Sequence, residues 1–429
     1  MKIAIAGYGV EGKANYNYFR QQGDVTIVDE REEIEDLPEN VNTILGKDSF
    51  SKLKEFDLVI RTAGLSPKKI NTEGKIWSTT NEFFAKCPAP IIGVTGTKGK
   101  GTTCSLIAAI LRSAGIKVHL VGNIGTAAIS ILSEISKKDI VVFEISSFQL
   151  WDIKASPQVA VVLMIEPDHL DIHDGFDDYL GAKSNIGKYQ GINDIFIYHP
   201  TNKNSAVIAG MSNAGSKYRY MTDDAAHIND NMIIINDKNI CSIKEVGLIG
   251  DYNLQNICAA ISASWQYTQD TKAIAKAVRE FKGLEHRLEL FATINGIRFY
   301  DDSFSSAPVA TVAAITAFSE PLIVIVGGFD RGLDLEFMVS GIVNSNNIKK
   351  VILIGEIRNR LAKELETADY HNFDIFDYKN MKDIVEHLLP YTKPGDVVLL
   401  SPGCASFDMF ENFISRGKKF KKAVNDLDG

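Results

Sequence analysis

Short, continuous apolar runs bounded by glycine alternate along the chain with segments whose apolar residues recur every three or four positions. That is the pattern of buried parallel strands joined by helices. Lys2–Ala6 predicts a buried strand, followed by the turn Gly7-Tyr8-Gly9-Val10-Glu11-Gly12, a helix to about Gln22 and a second strand at Val25–Asp29. Leu58–Arg61 predicts another strand, ending at Thr62-Ala63-Gly64. Cys87-Pro88-Ala89-Pro90 reads as a linker, because two prolines so close together favour extended backbone and interrupt a helix. Beyond it come a strand at Ile91–Thr95, a glycine-rich loop and a helix over Thr102–Ala114 with Gly115 as its stop. Ile140–Glu144 and Val159–Met164 predict further buried strands, and a helix starts near Phe176. From about Ile294 a last section carries strands at Leu322–Val326, Val351–Ile354 and Val397–Leu400. The class is α/β with parallel sheets, and the pattern divides into three domains.

A length of 429 residues agrees with three domains at about 150 residues each. Hydrophobic residues at 45% and charged residues at 23% allow well-formed cores. No apolar stretch approaches the ~18–20 residues of a bilayer span, and Met1-Lys2-Ile3 runs straight into a strand without the shape of a signal peptide. Five scattered cysteines, Cys87, Cys104, Cys241, Cys258 and Cys404, form no C-x-x-C pair. A cytoplasmic protein is expected, with no membrane partner. The net charge of −8 argues against a nucleic-acid binder, which needs a basic surface to displace counterions. Anionic ligands must then be held by local clusters.

Two glycine-rich turns offer such clusters. The first, Gly7 to Gly12 with Asp29 at the end of the next strand, has the spacing that sets a helix N-terminus against a phosphate; a tight strand–helix turn gives the same pattern. The second is sharper. Gly93-Val94-Thr95-Gly96-Thr97-Lys98-Gly99-Lys100-Gly101-Thr102-Thr103 follows a strand and opens a helix, putting Lys100 where a P-loop lysine meets β- and γ-phosphates. Gly101 stands where the magnesium-binding hydroxyl is usual, which leaves Thr102 as the donor. Glu144 and Asp168-His169 each follow a buried strand, at the sheet edge where open α/β folds place ligands, and a carboxylate with an imidazole suits a divalent ion; helix caps or satisfied polar groups give the bland alternative. Lys183, on the helix near Phe176, reads by itself as a solvated side chain. Arg287, in His286-Arg287-Leu288-Glu289, can clamp a phosphate or belong to a charged turn.

The P-loop, Glu144-Ile145-Ser146-Ser147, Asp168-His169-Leu170-Asp171, Gly250-Asp251-Tyr252-Asn253-Leu254-Gln255-Asn256, His286-Arg287-Leu288-Glu289 and Ser401-Pro402-Gly403-Cys404-Ala405-Ser406 occur in one order over nearly the whole chain. In that order the chain resembles the Mur ligases, and within them the branch that joins glutamate to UDP-N-acetylmuramoyl-alanine. The resemblance implies an ATP-dependent amide-bond ligase of peptidoglycan precursor synthesis that takes ATP and Mg2+, with a Rossmann-like UDP-sugar domain over 1–88, an ATP-binding domain over 89–285 and a Rossmann-like amino-acid domain over 286–429. It places Val10, Glu11, Asp29, Arg31 and Gly64 near the uridine diphosphate and Asn123 at its sugar. To ATP it assigns Gly96, Thr97, Lys98, Gly99, Lys100, Gly101, Thr102, Asn253 and Asn256, with Arg287 and Asp302 at the phosphate and ribose. Magnesium falls to Thr102, Glu144 and His169, together with Lys183 as a carbamate, and Lys100, Lys183 and His169 carry the catalysis. Arg331, Ser406 and the backbone at Phe413 receive glutamate.

Several positions depart from the family. Met164 replaces an asparagine, Tyr252 replaces a histidine, and Asp302-Ser303-Phe304-Ser305-Ser306-Ala307 stands where the D-glutamate-adding ligases usually read D-S-K-A-T-N. The lysine and asparagine of that motif are gone. The expected chemistry converts a carboxylate to an acyl phosphate at the expense of ATP, after which the amine of glutamate displaces phosphate in a cleft closed against water. D-glutamate is the expected amino acid, the substrates being UDP-N-acetylmuramoyl-L-alanine and glutamate, and the enzyme a monomer. The alternatives are an L-glutamate-adding variant, a catalytically silent nucleotide-binding homologue, an NAD-dependent oxidoreductase, which leaves the P-loop unexplained, and a folylpolyglutamate synthase, which the N-terminal nucleotide-type domain disfavours.

Overall fold

The protein is described from a computed structural model, over residues 1–123, 127–170, 172–248 and 250–428. Motif residues Ile124, Gly125 and Asp171 lie outside them. The fold is mixed α/β with parallel sheets, in two compact units: Met1–Val246 with Asp251–Phe281, and Gly247–Gly250 with Lys282–Gly429.

The first unit holds two parallel sheets. One runs in the order Asn42–Leu45, Asp24–Asp29, Lys2–Ala6, Leu58–Arg61, Lys75–Ser78, with every neighbour parallel. Its central strand is apolar on both faces because both are covered: Ile3 and Ile5 pack into one cluster, Ala4 and Ala6 into another. The other sheet runs Ser216–Arg219, Ile195–Tyr198, Val159–Val162, Ile91–Thr95, Ile140–Glu144, Val118–Gly122, also parallel. Ile91–Thr95 thus lies between the strand that ends in Glu144 and the strand that leads to His169, so three loops leave the same sheet edge side by side.

A three-stranded antiparallel sheet, His227–Asn229, Met232–Ile235 and Lys238–Ser242, completes this unit outside the strand–helix pattern. Its turns use Asp230-Asn231 and Asn236-Asp237, all four at positive φ between 46° and 63°, as tight hairpins require and as Asn and Asp tolerate.

In the second unit the antiparallel hairpin Glu289–Ile294 and Ile297–Asp301 continues through Val397–Leu400, Leu322–Gly327, Ile348–Ile354 and Phe373–Ile375, all parallel. Leu322, Val324 and Val326 face one core, Ile323 and Ile325 the other. The apolar runs locate the strands, and local chemistry moves their ends. The strand expected over Val159–Met164 ends at Val162, because the chain then turns Met164 outward at 41% exposure. The first helix stops at Phe19 and not near Gln22, and the helix after the P-loop opens at Lys100, two residues ahead of Thr102. No helix among the described residues is long and apolar enough to cross a membrane.

Candidate functional site

The P-loop is built by its neighbours. Gly99 caps the helix Lys100–Ser113 at φ +85°, a backbone state that favours glycine, and a β-carbon there would run into the Asn256 amide. Thr97 is tied to the loop after the neighbouring strand Val159–Val162: its N–H donates to Met164 O at 2.9 Å and its hydroxyl donates to Glu166 O at 2.9 Å. Lys100 Nζ curls onto the loop itself, donating to Gly96 O at 2.9 Å and Thr97 O at 3.0 Å. Thr103 is buried and donates to Asn256 Oδ1 at 3.4 Å, whereas Thr102 is partly exposed. Asn256 also donates to Asn253 Oδ1 at 3.2 Å, so the two asparagines expected at ATP share one network with the loop. Lys98 is exposed and Gly101 buried in the first helical turn.

Lys183 is the departure from elementary expectation. It is 1% exposed, not solvated, and its Nζ donates to Gly96 O at 3.0 Å and to Thr95 Oγ1 at 3.3 Å. Burial holds its amine well below the usual lysine range, Lys100 acts in the same direction, and Asp168 and Glu144 oppose both. Tyr179, whose ring lies 4.7 Å from Nζ, is itself pushed up to about 12 by burial. Glu144 is 4% exposed at its strand end and accepts from Asn123 Nδ2 at 3.3 Å. His169 takes the left-handed backbone state at φ +54°, with a half-exposed ring 3.6 Å from Asp168 and 5.0 Å from the Phe148 ring. A buried carboxylate and an accessible imidazole at neighbouring strand ends are donors of the types that a divalent ion takes.

Two supports of this edge escaped the sequence reading. Ser147 Oγ, His173 and Asp178 form a relay, with His173 Nε2 3.0 Å from Ser147 and Nδ1 2.8 Å from Asp178. The arrangement imitates a hydrolytic triad, but Ser147 is 2% exposed and presents no nucleophile; the relay pins the turn that carries His169. Arg61, fully buried, donates from Nε to Asp152 at 2.7 Å and from Nη2 to Phe148 O at 2.9 Å, joining the end of an N-terminal strand to the turn after Glu144.

Within the same unit Val10, Glu11, Ala63, Thr79, Asn123 and Gln149 line a cavity of about 230 Å³. It brings Val10, Glu11 and Asn123 together with the residue preceding Gly64. Glu11 accepts from Ala63 N–H at 2.7 Å. Asp29 and Arg31 do not line it. They pair with each other, Arg31 Nε and Nη2 both donating at 2.9 Å, while Tyr8 N–H donates to Asp29 at 2.8 Å. The Arg31 guanidinium holds the Asp29 carboxyl down at about 2.

In the second unit Asp302 is buried and accepts from Ser401 Oγ at 2.7 Å and Leu288 N–H at 3.1 Å. Burial pushes its carboxyl up to about 6. Between about pH 4 and 6 the unfolded chain has released this proton and the folded chain keeps it, so stability falls as pH rises through that window and levels off above it. An Asp302→Asn variant is expected to lose that component; an unchanged difference between melting temperatures at pH 4.5 and 7 would contradict the assignment. Arg287 Cζ lies 3.7 Å from the centroid of the Phe304 ring. Arg331 is exposed, 5.6 Å from the Phe407 ring, beside the buried Ser406.

Arg416, unnoticed in the sequence, is 1% exposed and donates to Ser303 Oγ at 2.9 Å, Ser303 O at 2.8 Å and Cys404 O at 3.1 Å. It rivets the Asp302 loop to the Ser401–Ser406 loop, and burial lowers it to about 10. Its signal was periodic: Arg416, Phe420, Ala423 and Val424 share the buried face of one helix. His286, Glu289 and Asp301 form the cluster of three potential metal ligands found among the described residues, but Lys421 Nζ stands 2.5 Å from Glu289 and supplies the cation.

The sequence matches the family described as Mur ligase middle domain over residues 94–264 and the one described as Mur ligase, glutamate ligase domain, over 286–404. It is 34% identical over 448 residues to the UDP-N-acetylmuramoylalanine–D-glutamate ligase of Clostridium kluyveri, covering 99% of this chain and 97% of that one. The protein of the same name from Clostridium tetani is 34% identical over 450 residues, with the same coverage of 99% and 97%. The fold is similar to the UDP-N-acetylmuramate-alanine ligase from Thermotoga maritima (TM-score 0.63, 15% identity, 100% of both chains). It is also similar to the MurF ligase of Thermotoga maritima solved in complex with ADP (TM-score 0.60, 18% identity, 99% of this chain and 95% of that one).

Proposed function

The chain belongs to the Mur ligase family, and we propose that it is the ATP-dependent ligase that joins D-glutamate to UDP-N-acetylmuramoyl-L-alanine in peptidoglycan precursor synthesis. The observation that carries this reading is the buried Lys183 amine on Gly96 O, with Lys100 on the same loop and Glu144 at the adjacent strand end. A strand–helix phosphate loop alone serves many reactions; a second, desolvated lysine beneath it serves few.

A carboxylate is a poor acyl donor because its leaving oxygen is too basic. The substrate carboxylate attacks the γ-phosphorus of ATP, ADP leaves, and an acyl phosphate results. The glutamate amine then attacks the acyl carbon, loses a proton and expels phosphate. Each step gathers anions, and the cost is met by fixed positive charge. Lys100 leaves the loop carbonyls for the β- and γ-phosphates, and Arg287 is the residue that the reading assigns to the phosphoryl group in transfer. Thr102, Glu144 and His169, with Lys183 as a carbamate, are the residues that would hold magnesium, which when bound offsets phosphate charge. Asn253 and Asn256 serve the nucleotide together with Gly96 to Thr102, and Asp302 serves its ribose.

The division of labour follows: 1–88 for the UDP-sugar, with Val10, Glu11 and Asn123 at the cavity and Asp29, Arg31 and Gly64 as its further ligands; 89–285 for ATP; 286–429 for the amino acid. Glutamate brings two carboxylates. Arg331 grips one, and Ser406 with the backbone at Phe413 receives the other. We place the enzyme in the cytoplasm as a monomer.

Phosphate release with UDP-N-acetylmuramoyl-L-alanine and, in turn, D-glutamate, L-glutamate, lysine and diaminopimelate tests the reading. Release with D-glutamate alone is expected. Exclusive use of L-glutamate overturns the stereochemical assignment, use of a basic amino acid overturns the pocket, and no release with any of them overturns the ligase.

A further inference from the structure

Phe304 stands where the resemblance to the Mur ligases implies a lysine, and it is an odd residue to leave there: 42% exposed, in a loop, outside either core of its unit. Its surroundings give it work to do. The guanidinium carbon of Arg287 lies 3.7 Å from the ring centroid, over the face of the ring. The rings of Phe304 and Phe413 meet in a T-shaped pair, with centroids 5.1 Å apart at 86°. Phe304 N–H donates to His286 O at 3.0 Å, so the residue before Arg287 and the platform under Arg287 are bonded directly. The neighbouring Ser303 hydroxyl donates to Phe413 O at 2.8 Å and accepts from the buried Arg416 at 2.9 Å. The ring thus packs against both the Arg287 guanidinium and the Phe413 ring, on a loop whose backbone is itself hydrogen-bonded.

We propose that Phe304 is a positioning residue: a π platform that fixes the Arg287 guanidinium in the orientation in which it meets the phosphates of ATP. The proposal rests on the reading of Arg287 as a phosphate ligand. An arginine side chain has many rotamers, and ordering it at the moment of reaction costs entropy. A ring stacked on its face restrains that motion while engaging neither of the in-plane edges through which a guanidinium grips phosphate. A lysine at this position would set a second cation against Arg287 and could not stack. The Phe413 ring braces Phe304 from the start of the helix Phe413–Asn425, while the Phe413 backbone is held separately, by the Ser303 hydroxyl.

The test uses the full chain with UDP-N-acetylmuramoyl-L-alanine, D-glutamate and ATP. Phe304→Ala is expected to raise the KM for ATP, or lower kcat, by roughly three- to tenfold, the range of an exposed to partly desolvated cation–π contact, with the KM for glutamate and the melting temperature unchanged. Phe304→Trp, which keeps a face for the guanidinium, is expected to recover most of that loss. The loss must also vanish in the Arg287→Ala background, since a platform with nothing to hold does nothing. Wild-type constants in Phe304→Ala overturn the proposal, as does a loss that adds in full to that of Arg287→Ala or falls on the KM for glutamate. If Arg287→Ala itself leaves ATP kinetics unchanged, the phosphate role of Arg287 fails first; if Arg287→Ala is impaired and Phe304→Ala is not, the platform alone fails.

Discussion

Lys100→Ala is expected to abolish ligation while leaving the fold intact. The ammonium donates to Gly96 O and Thr97 O on its own loop, at 2.9 and 3.0 Å, from a partly exposed position at the start of its helix. These two bonds close on the loop itself, and the melting temperature is expected to stay within a degree or two. The reaction depends on it heavily. Attack on the γ-phosphorus draws a third anion toward two phosphates, and a preorganised cation at a transferring phosphoryl group contributes about 10²- to 10³-fold or more to the rate, by analogy with single oxyanion donors. Because Lys100 also lies close enough to Lys183 to depress that amine, its removal is expected to let Lys183 regain part of its affinity for a proton. Phosphate release at saturating substrates, together with a melting curve, checks the first claim. Near-normal turnover with an unchanged melting curve would show that this loop is not the phosphate site.

Much of this arrangement was legible before any coordinates. Runs such as Ile140–Glu144 and Val397–Leu400 are buried on both faces, so their sequence is unbroken by polar residues and their ends are marked by the first group that must reach solvent or ligand. The P-loop was legible because strand, glycines, lysine and helix come in obligatory order. The hairpins at 227–242 were harder, since alternation over three to five residues is a weak pattern, although the Asp230-Asn231 and Asn236-Asp237 turns announce them in retrospect. Charged residues misled most. Taken singly, Lys183 and Arg416 suggest solvent, yet the neighbours of Lys183 at helical spacing are Tyr179, Ile186 and Gly187, all buried. Helical period, applied to a charge as strictly as to a leucine, would have placed both inside. What period cannot supply is the partner: that Arg416 closes on Ser303 and Cys404 depends on strands far apart in sequence becoming neighbours.

Lys183 carries the second large effect, and its argument is chemical. Carbon dioxide adds only to a neutral amine, forming the N–C bond of a carbamate with release of one proton. An ordinary lysine with a pKa near 10.4 is neutral at pH 7 in roughly one molecule of a few thousand. Burial beside Lys100 holds the Lys183 amine well below that range, so the reactive form is far more abundant. The product is an anion, which the same burial would penalise unless cations face it; Lys100 is one, and magnesium at Glu144 and His169 would be another. Lys183→Met, which keeps the length and drops the amine, is expected to hold the melting temperature and to lose at least about 10²-fold in kcat, the scale of a misplaced catalytic group. In Lys183→Ala, formate or acetate at tens of millimolar should restore part of the rate by placing a free carboxylate where the carbamate stood. The wild-type enzyme in buffer stripped of carbon dioxide should lose activity and regain it with bicarbonate. Wild-type turnover in Lys183→Met would sink the assignment outright; loss of activity in that variant with no response to carboxylic acids or to bicarbonate would leave Lys183 essential but as an amine.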